Sequence, residues 1–201
     1  IEVLVTDQMR ALTNAQVGSL LSTQLRTLST EQLEAFTSTQ FNSLTSSQVA
    51  SLTTSQIEGL TTTLVGNLSN AVVSAFTNDQ VVAITSDQIR AFSTDQFAAL
   101  TTSQVVQLTA DQFSNIDALD IANLTTAQVR SLSADLLVSM NLDQVQALNT
   151  AGLQSITTAQ WRNFSIDQMA ALASSQVRAL TSSQVNALNQ DQLQAICFHL
   201  S

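Results

Sequence analysis

Apolar and polar residues alternate along this chain with a period of eight. From Leu4 to Ala195 the sequence divides into 24 consecutive octads without an insertion or deletion, and we label their positions a to h with Leu4 at a. Positions a and f are apolar in all 24 octads, position b is Ser, Thr, Asn or Asp in 21, and position e is Gln in 19. The residues that depart from Gln at e are Leu64, Val72, Asp120, Leu136 and Gly152. A fixed period over nearly the whole length predicts a repeat architecture rather than an ordinary globular core.

Positions b to e read Ser/Thr-x-x-Gln, which is the pattern of a helix N-terminal capping box. In such a box the b side chain accepts from the amide of e, and the e side chain accepts from the amide of b. Ten of the 15 acidic residues stand at d, in the first helical turn, where the helix dipole favours a carboxylate. We therefore predict one short helix per octad, running from c to the next a. The cap accounts for Gln at e without any contact between octads, so no glutamine ladder along the stack is predicted.

The distribution of residues around such a helix is amphipathic. At about 100° per residue, a, e, f and h share one half of the helix and c, d and g share the other. We expect a, f and h to be buried, with c, d and g facing water, where 18 of the 21 charged residues stand. The aromatic residues that occupy a or f are therefore predicted to lie in the core: Phe36, Phe41, Phe76, Phe92, Phe97, Phe113, Phe164 and Trp161.

Two other backbones fit this pattern less well. A single continuous helix would rotate its apolar stripe by about 80° per octad and would have no use for a capping residue in each one. A β-solenoid would place a and f on opposite faces, because they are separated by an odd number of residues, and it would favour Gly or Asn at its corners. We keep the β-solenoid as the minority alternative. The predicted fold is all-α.

Helices this short must stack, because isolated helices below about 12 residues are marginal in water. The sequence therefore predicts one solenoid over residues 1–201, with 24 octads spanning 4–195 and an apolar tail at 196–201. The first residues, Ile1 to Val5, are also largely apolar, and neither end resembles the polar cap of a repeat array. We expect the ends to pack on other chains, so that the protein associates with itself end to end. The number of helices in one superhelical turn does not follow from the sequence.

Composition narrows the range of functions. The net charge is −9 and all six basic residues are Arg, which argues against a nucleic-acid binder because phosphate neutralisation needs clustered basic residues. A single Cys provides no internal disulfide and no cysteine-based zinc cage. No apolar run reaches the roughly 18 residues that a membrane span requires.

Few residues suggest catalysis or metal binding. His199 is the only His and stands at the end of the chain, where no partner is placed to make it a general base. Cys197 is predicted to be a small buried apolar residue, with an intermolecular disulfide as the alternative. The d carboxylates are eight residues apart and lack the spacing of calcium loops, so we expect solvated surface acids. We predict no catalytic, cofactor or metal residues, and no enzyme.

Runs such as Leu100-Thr101-Thr102-Ser103-Gln104-Val105 and Leu124-Thr125-Thr126-Ala127-Gln128-Val129 carry a further likeness. They resemble the tandem LTTxQV repeats of very large, repetitive bacterial proteins that are regarded as surface-exposed or secreted and adhesin-like. The resemblance covers nearly the whole chain and implies an extracellular, structural role. It brings no known catalytic or binding motif.

These observations lead to one expected function and one alternative. We expect a structural extracellular repeat protein that acts as a stalk or spacer, or as a filament subunit, at a bacterial surface. The alternative is a solenoid binding module, such as an adhesin or a secreted effector, that recognises a protein or glycan partner. That alternative predicts a distinct surface patch at c, d and g, whereas the charged residues at these positions are scattered along the sequence.

Overall fold

The protein is all-helical, as the octad pattern predicts. The structure is a computed structural model that describes residues 5–197, and within that range it contains 24 short α-helices and no strand. The minority β-solenoid interpretation is therefore wrong. Every helix begins at position c of its octad, directly after the predicted cap at b.

The helices fall into two compact units, which we call the N-terminal unit (Ile1–Gln107) and the C-terminal unit (Leu108–Ser201). The helices of the N-terminal unit are α1 (Thr6–Ala11), α2 (Asn14–Gly18), α3 (Ser22–Arg26), α4 (Thr30–Glu34), α5 (Ser38–Phe41), α6 (Ser46–Ser51), α7 (Thr54–Glu58), α8 (Thr62–Gly66), α9 (Asn70–Ser74), α10 (Asn78–Ala83), α11 (Ser86–Arg90), α12 (Thr94–Ala98) and α13 (Thr102–Val105). Those of the C-terminal unit are α14 (Ala110–Ser114), α15 (Ala118–Ala122), α16 (Thr126–Ser131), α17 (Ala134–Ser139), α18 (Leu142–Ala147), α19 (Thr150–Ser155), α20 (Thr158–Trp161), α21 (Ile166–Ala171), α22 (Ser174–Ala179), α23 (Ser182–Ala187) and α24 (Gln190–Cys197).

The capping box forms as predicted. Thr45 is typical: its hydroxyl accepts from the amide of Gln48 at 3.3 Å, and its own amide donates to the Gln48 Oε1 at 2.7 Å. Where b is apolar, as at Leu21 and Ala173, only the glutamine half of the box is present. Each helix therefore has its first orphan amides satisfied within its own octad.

The helices are shorter than predicted, because position a does not belong to them. They end at f, g or h, apart from α24, which extends to Cys197. Leu52 at a is extended, with φ −61° and ψ 146°, and so is Thr53 at b, with φ −77° and ψ 157°. Two successive extended residues redirect the chain between helices, and no residue from 5 to 197 has a positive φ. The turn therefore needs neither Gly nor Pro, which is consistent with 4 Gly and 0 Pro in the sequence.

The core of each unit is built from a, f and e. Burial of a and f is confirmed, and all eight aromatic residues predicted to lie in the core are buried. The prediction for h is wrong, since most h side chains lie at the partly exposed edge of the core. Position e takes its place, and glutamines such as Gln80 and Gln96 are almost completely buried. With a extended and out of the helix, the inward face is centred on e and f, and h falls to its margin.

Each unit is a solenoid in which a helix packs against the helix three octads further along. In the N-terminal unit the packed pairs are α1 with α4, α2 with α5, α3 with α6, α4 with α7, α6 with α9, α7 with α10, α8 with α11, α9 with α12 and α10 with α13. In the C-terminal unit they are α14 with α17, α15 with α18, α16 with α19, α18 with α21, α19 with α22, α20 with α23 and α21 with α24. We use the word stack for helices that follow one another in this way.

Candidate functional site

The most distinctive polar feature of the protein is the buried glutamine at position e. Gln80 shows its geometry. Its Oε1 accepts from the amide of Thr77 at 2.8 Å, which is the capping bond. Its Nε2 donates to the carbonyl of Val49 at 2.8 Å and to the carbonyl of Leu52 at 2.8 Å, 31 and 28 residues earlier. A side chain that is 1% exposed thus has its amide oxygen and both amide protons paired.

The same bonds recur along each unit, and we call the series the glutamine ladder. Its Nε2 atoms donate to the a carbonyl 28 residues earlier at 2.6–2.9 Å. The glutamines that make this bond are Gln40, Gln48, Gln56, Gln80, Gln88, Gln96, Gln104, Gln144, Gln160, Gln168, Gln176, Gln184 and Gln192. A glutamine ladder, which the capping argument did not predict, therefore exists in addition to the caps.

The ladder defines the superhelical turn. Gln40 on α5 donates to Met9 and Arg10, in the last turn of α1, and to Leu12 just beyond it. Packing joins α5 to α2, three octads earlier, whereas the glutamine reaches back four. Within each unit, one turn of the solenoid therefore holds between three and four helices. The a carbonyl has left its helix and is satisfied by this glutamine rather than by a backbone amide.

Two asparagines replace the ladder where e is not Gln. In the octad of Val72, the amide of Ser69 donates to Asn42 Oδ1 at 2.7 Å, and Asn42 Nδ2 donates to the carbonyl of Asn67 at 3.0 Å. In the octad of Gly152, the cap residue Asn149 accepts from Gly152 at 2.7 Å and donates to the carbonyl of Ala122 at 2.8 Å. Sequence reasoning missed both roles. For Asn149 a signal existed, because Asn stands at b in an octad without Gln at e.

The surface groups behave as the sequence predicts. Every acid at d is exposed, and so are all six Arg at g. Asp87 and Arg90 form an exposed ion pair at 3.5 Å, a type of contact that contributes little to stability. Among residues 5–197, no three His, Cys, Asp or Glu side chains come together in a way that could hold a metal ion.

Two further features were examined for chemistry. A cavity of about 340 Å³ in the N-terminal unit is lined by Thr6, Arg10, Glu31, Glu34, Ala35 and Thr61. It brings one cation beside two carboxylates, with no His or Cys among the lining residues. In the C-terminal unit, Trp161 is fully buried and stacks on Phe164 at 4.6 Å, and its indole N–H has no partner within the described part of the chain.

The residues singled out near the C-terminus have different outcomes. Cys197 is a free, exposed thiol at the end of α24, so the prediction of a buried side chain is wrong. The reason is positional, because Cys197 follows the last octad and has no stacking partner assigned by the repeat. His199, the apolar residues from 198 onward and those at 1–4 lie outside the described residues.

Comparison with known families supports the octad pattern directly. Residues 73–110 match the ALTTAQ repeat. In this segment Ala99-Leu100-Thr101-Thr102-Ser103-Gln104 runs from h to e, so the match includes the cap at b and the ladder glutamine at e. The protein therefore contains ALTTAQ-type repeats, and its own sequence continues the same octad on both sides of the match. No curated protein matches the chain.

None of the described helices is both long enough and apolar enough to cross a lipid bilayer. The longest, α24, has 8 residues, against the roughly 20 that a spanning helix needs.

Proposed function

We propose that this chain is a structural segment, a stalk or spacer, of a large surface-exposed or secreted bacterial protein of the adhesin-like type. The glutamine ladder is the observation that supports this proposal. It ties each superhelical turn to the next through buried, fully paired hydrogen bonds, so length can be added one octad at a time. The extracellular location rests on the resemblance of the octads to LTTxQV repeats.

The proposal includes the absence of enzymatic activity. General acid–base and nucleophilic catalysis use His, Lys, Tyr, Cys or carboxylates held in a common site. The chain has one His, no Lys and no Tyr, and its surface acids at d belong to separate helices. These facts favour a scaffold over a catalyst.

End-to-end self-association is a further part of the proposal. The Oε1 atoms of Gln8, Gln16 and Gln24 accept capping bonds, while their Nε2 atoms have no acceptor among residues 5–197. A turn of the same repeat laid against them would supply the missing a carbonyls. A second copy of the chain offers such carbonyls at Leu172, Leu180 and Leu188, again eight residues apart.

Spin-label distances test the spacer function. With Cys197 as one label and Thr126→Cys as the other, both in exposed positions of the C-terminal unit, a stiff solenoid gives a narrow distance distribution. Inserting one additional octad between the labels shifts the distribution and leaves it narrow. A broad distribution in the original chain would contradict a spacer.

Sedimentation and electron microscopy test self-association. Fibres, or sedimentation coefficients that rise with concentration, are expected for the unaltered chain. The triple change Gln8→Leu, Gln16→Leu, Gln24→Leu should abolish them, whereas the Asp87→Asn control should not. Discrete monomers of the unaltered chain at every concentration would refute self-association and leave the spacer test unaffected.

A further inference from the structure

Three exposed side chains depart from the octad pattern in the same direction. Positions c and d are otherwise occupied by polar, acidic or small residues, and only Leu119, Leu142 and Ile166 place a large apolar side chain there. They are 74%, 46% and 45% exposed. An apolar residue in a position that the repeat reserves for polar ones buries nothing in the fold, so folding does not account for it.

The solenoid brings these three residues onto one stack of the C-terminal unit. Leu119 lies on α15, Leu142 on α18 and Ile166 on α21. Helix α15 packs against α18, and α18 packs against α21. They are separated by 23 and 24 residues in the sequence, so only the stacking of every third octad brings them onto successive helices. We call them the apolar stripe.

The charges around the apolar stripe have a single sign. Asp143 and Asp167 directly follow Leu142 and Ile166, and both are exposed. The remaining charged residues on α15, at its cap and on α24, the next helix of the stack, are also Asp. No Arg belongs to α15, α18, α21 or α24. The stripe is therefore an apolar surface within a purely acidic surrounding.

We propose that the apolar stripe is a docking site for a basic amphipathic helix of a partner protein. Packed helices lie roughly 8–10 Å apart, so the stripe presents an apolar group at about that interval. Positions i, i+7 and i+14 of an α-helix lie on one face about 10.5 Å apart, which matches the stripe. Lys or Arg beside those positions would pair with Asp143 and Asp167.

The acidic surrounding separates this occupant from two others. A second copy docking stripe to stripe would bring carboxylates against carboxylates, and an anionic membrane would be repelled. A basic helix meets complementary charge in the same place. The proposal does not rest on the spacer function, since a stalk and a non-stalk solenoid could both carry such a site.

A synthetic helical peptide of about 18 residues, with Leu at i, i+7 and i+14 and Lys beside them, is the probe. Its binding to the full chain is measured by fluorescence anisotropy. We expect saturable binding that weakens by at least about tenfold in the triple variant Leu119→Thr, Leu142→Thr, Ile166→Thr. Thr is common at c and d in this chain, so this variant is expected to fold, and circular dichroism checks that it does.

Matched changes separate the stripe from general stickiness. Val138→Thr removes another large apolar side chain, 53% exposed, on α17 in the same unit but a different stack, and should leave binding unchanged. The double change Asp143→Asn, Asp167→Asn should weaken binding and flatten its dependence on salt.

Four results would overturn the proposal. They are unchanged binding in the stripe variant, equal binding of a peptide with Glu in place of Lys, stripe-dependent sedimentation with vesicles of anionic lipid, and self-association that the stripe variant abolishes. The last two would assign the stripe to a membrane or to a second copy.

Discussion

A buried glutamine is unusual, because its amide must lose water and regain every hydrogen bond from the protein. Position e meets this requirement by dividing the amide between two tasks. The oxygen caps its own helix, and the nitrogen joins the helix four octads earlier. Because one side chain satisfies donors and acceptors in two turns, its loss affects both turns together.

Replacing Gln80 by Leu tests this double role. Leu has a similar volume and stands naturally at e in two octads, Leu64 and Leu136. In the variant the carbonyl of Leu52 loses its partner, and the amide of Thr77 loses its cap. We expect a loss of about 1–3 kcal/mol in the free energy of unfolding, measured by urea denaturation.

Gln16→Leu is the matched control for that experiment. Gln16 is exposed, caps Thr13 at 2.8 Å and makes no ladder bond within the described residues. It should lose only the contribution of a cap, about 1 kcal/mol or less. An equal effect of the two substitutions would show that the ladder adds nothing to the cap.

Trp161 gives a second test at the residue scale. Its indole N–H is buried without a described partner, which costs about 1–3 kcal/mol relative to a paired group. Trp161→Phe removes that unpaired donor while also losing volume, and the two effects oppose each other. We expect a stability change below about 1 kcal/mol by urea denaturation, against about 3–5 kcal/mol for Phe113→Ala. A loss as large as that of the control would indicate that the N–H is paired after all.

The sequence predicts half of what position e does. The capping bond connects residues three apart, so the Ser/Thr-x-x-Gln spacing is enough to find it. The ladder bond connects Gln80 to Leu52, and no local pattern shows which residue lies opposite after a superhelical turn. Asn42 was missed for the same reason, since its partners Asn67 and Ser69 are 25 and 27 residues away.

At the scale of the element, the helices are so short that their boundaries decide which residues are buried. The start at c was predictable, because the cap is a side-chain signal. The end was not, because an apolar residue at a fits both the last turn of a helix and an extended residue that points into the core. Placing a outside the helix moves the buried face from h towards e, which explains the wrong prediction for h and the burial of Gln.

Glycine at g tests how closely successive turns approach. A Cβ on Gly66 would lie 2.8 Å from the carbonyl oxygen of Ala91, whereas one on Gly18 would lie 3.2 Å from the carbonyl oxygen of Ser43. Alanine favours a helix over glycine by about 1 kcal/mol at either position. At Gly66 the backbone must also shift, at a cost of about 1–3 kcal/mol.

We therefore expect Gly66→Ala to destabilise the protein by up to about 2 kcal/mol and Gly18→Ala to be neutral or slightly stabilising. Thermal unfolding followed by circular dichroism compares the two variants with the unaltered chain. If both stabilise equally, the closeness of the turns at Gly66 has no energetic consequence.

At the scale of the whole molecule, the octad is the unit in which the chain can be lengthened or shortened. A ladder bond spans 28 residues, which is three octads plus the step from a to e. Removing a complete octad between a glutamine and its acceptor therefore brings another a carbonyl to the same distance. Removing half an octad brings an e residue there instead. Stability should follow this register rather than the number of residues removed.

Deleting residues 28–35 tests this expectation. After that deletion Gln48 and Gln56 stand 28 residues beyond Leu12 and Leu20, which are also a residues. Circular dichroism should show an unchanged helical signal per residue and a cooperative transition, as expected for a repeat array that has lost one unit.

Deleting only residues 28–31 is the sharper comparison, because it removes fewer residues and should do more damage. It places Gln48 and Gln56 opposite Gln16 and Gln24, so buried amides meet partners of the wrong kind while the apolar faces of two turns fall out of phase. We expect a lower helical signal and a lower unfolding midpoint than for the eight-residue deletion. If the shorter deletion were tolerated as well as the longer one, stacking would depend on apolar contact alone, and the glutamine ladder would not set the register of the solenoid.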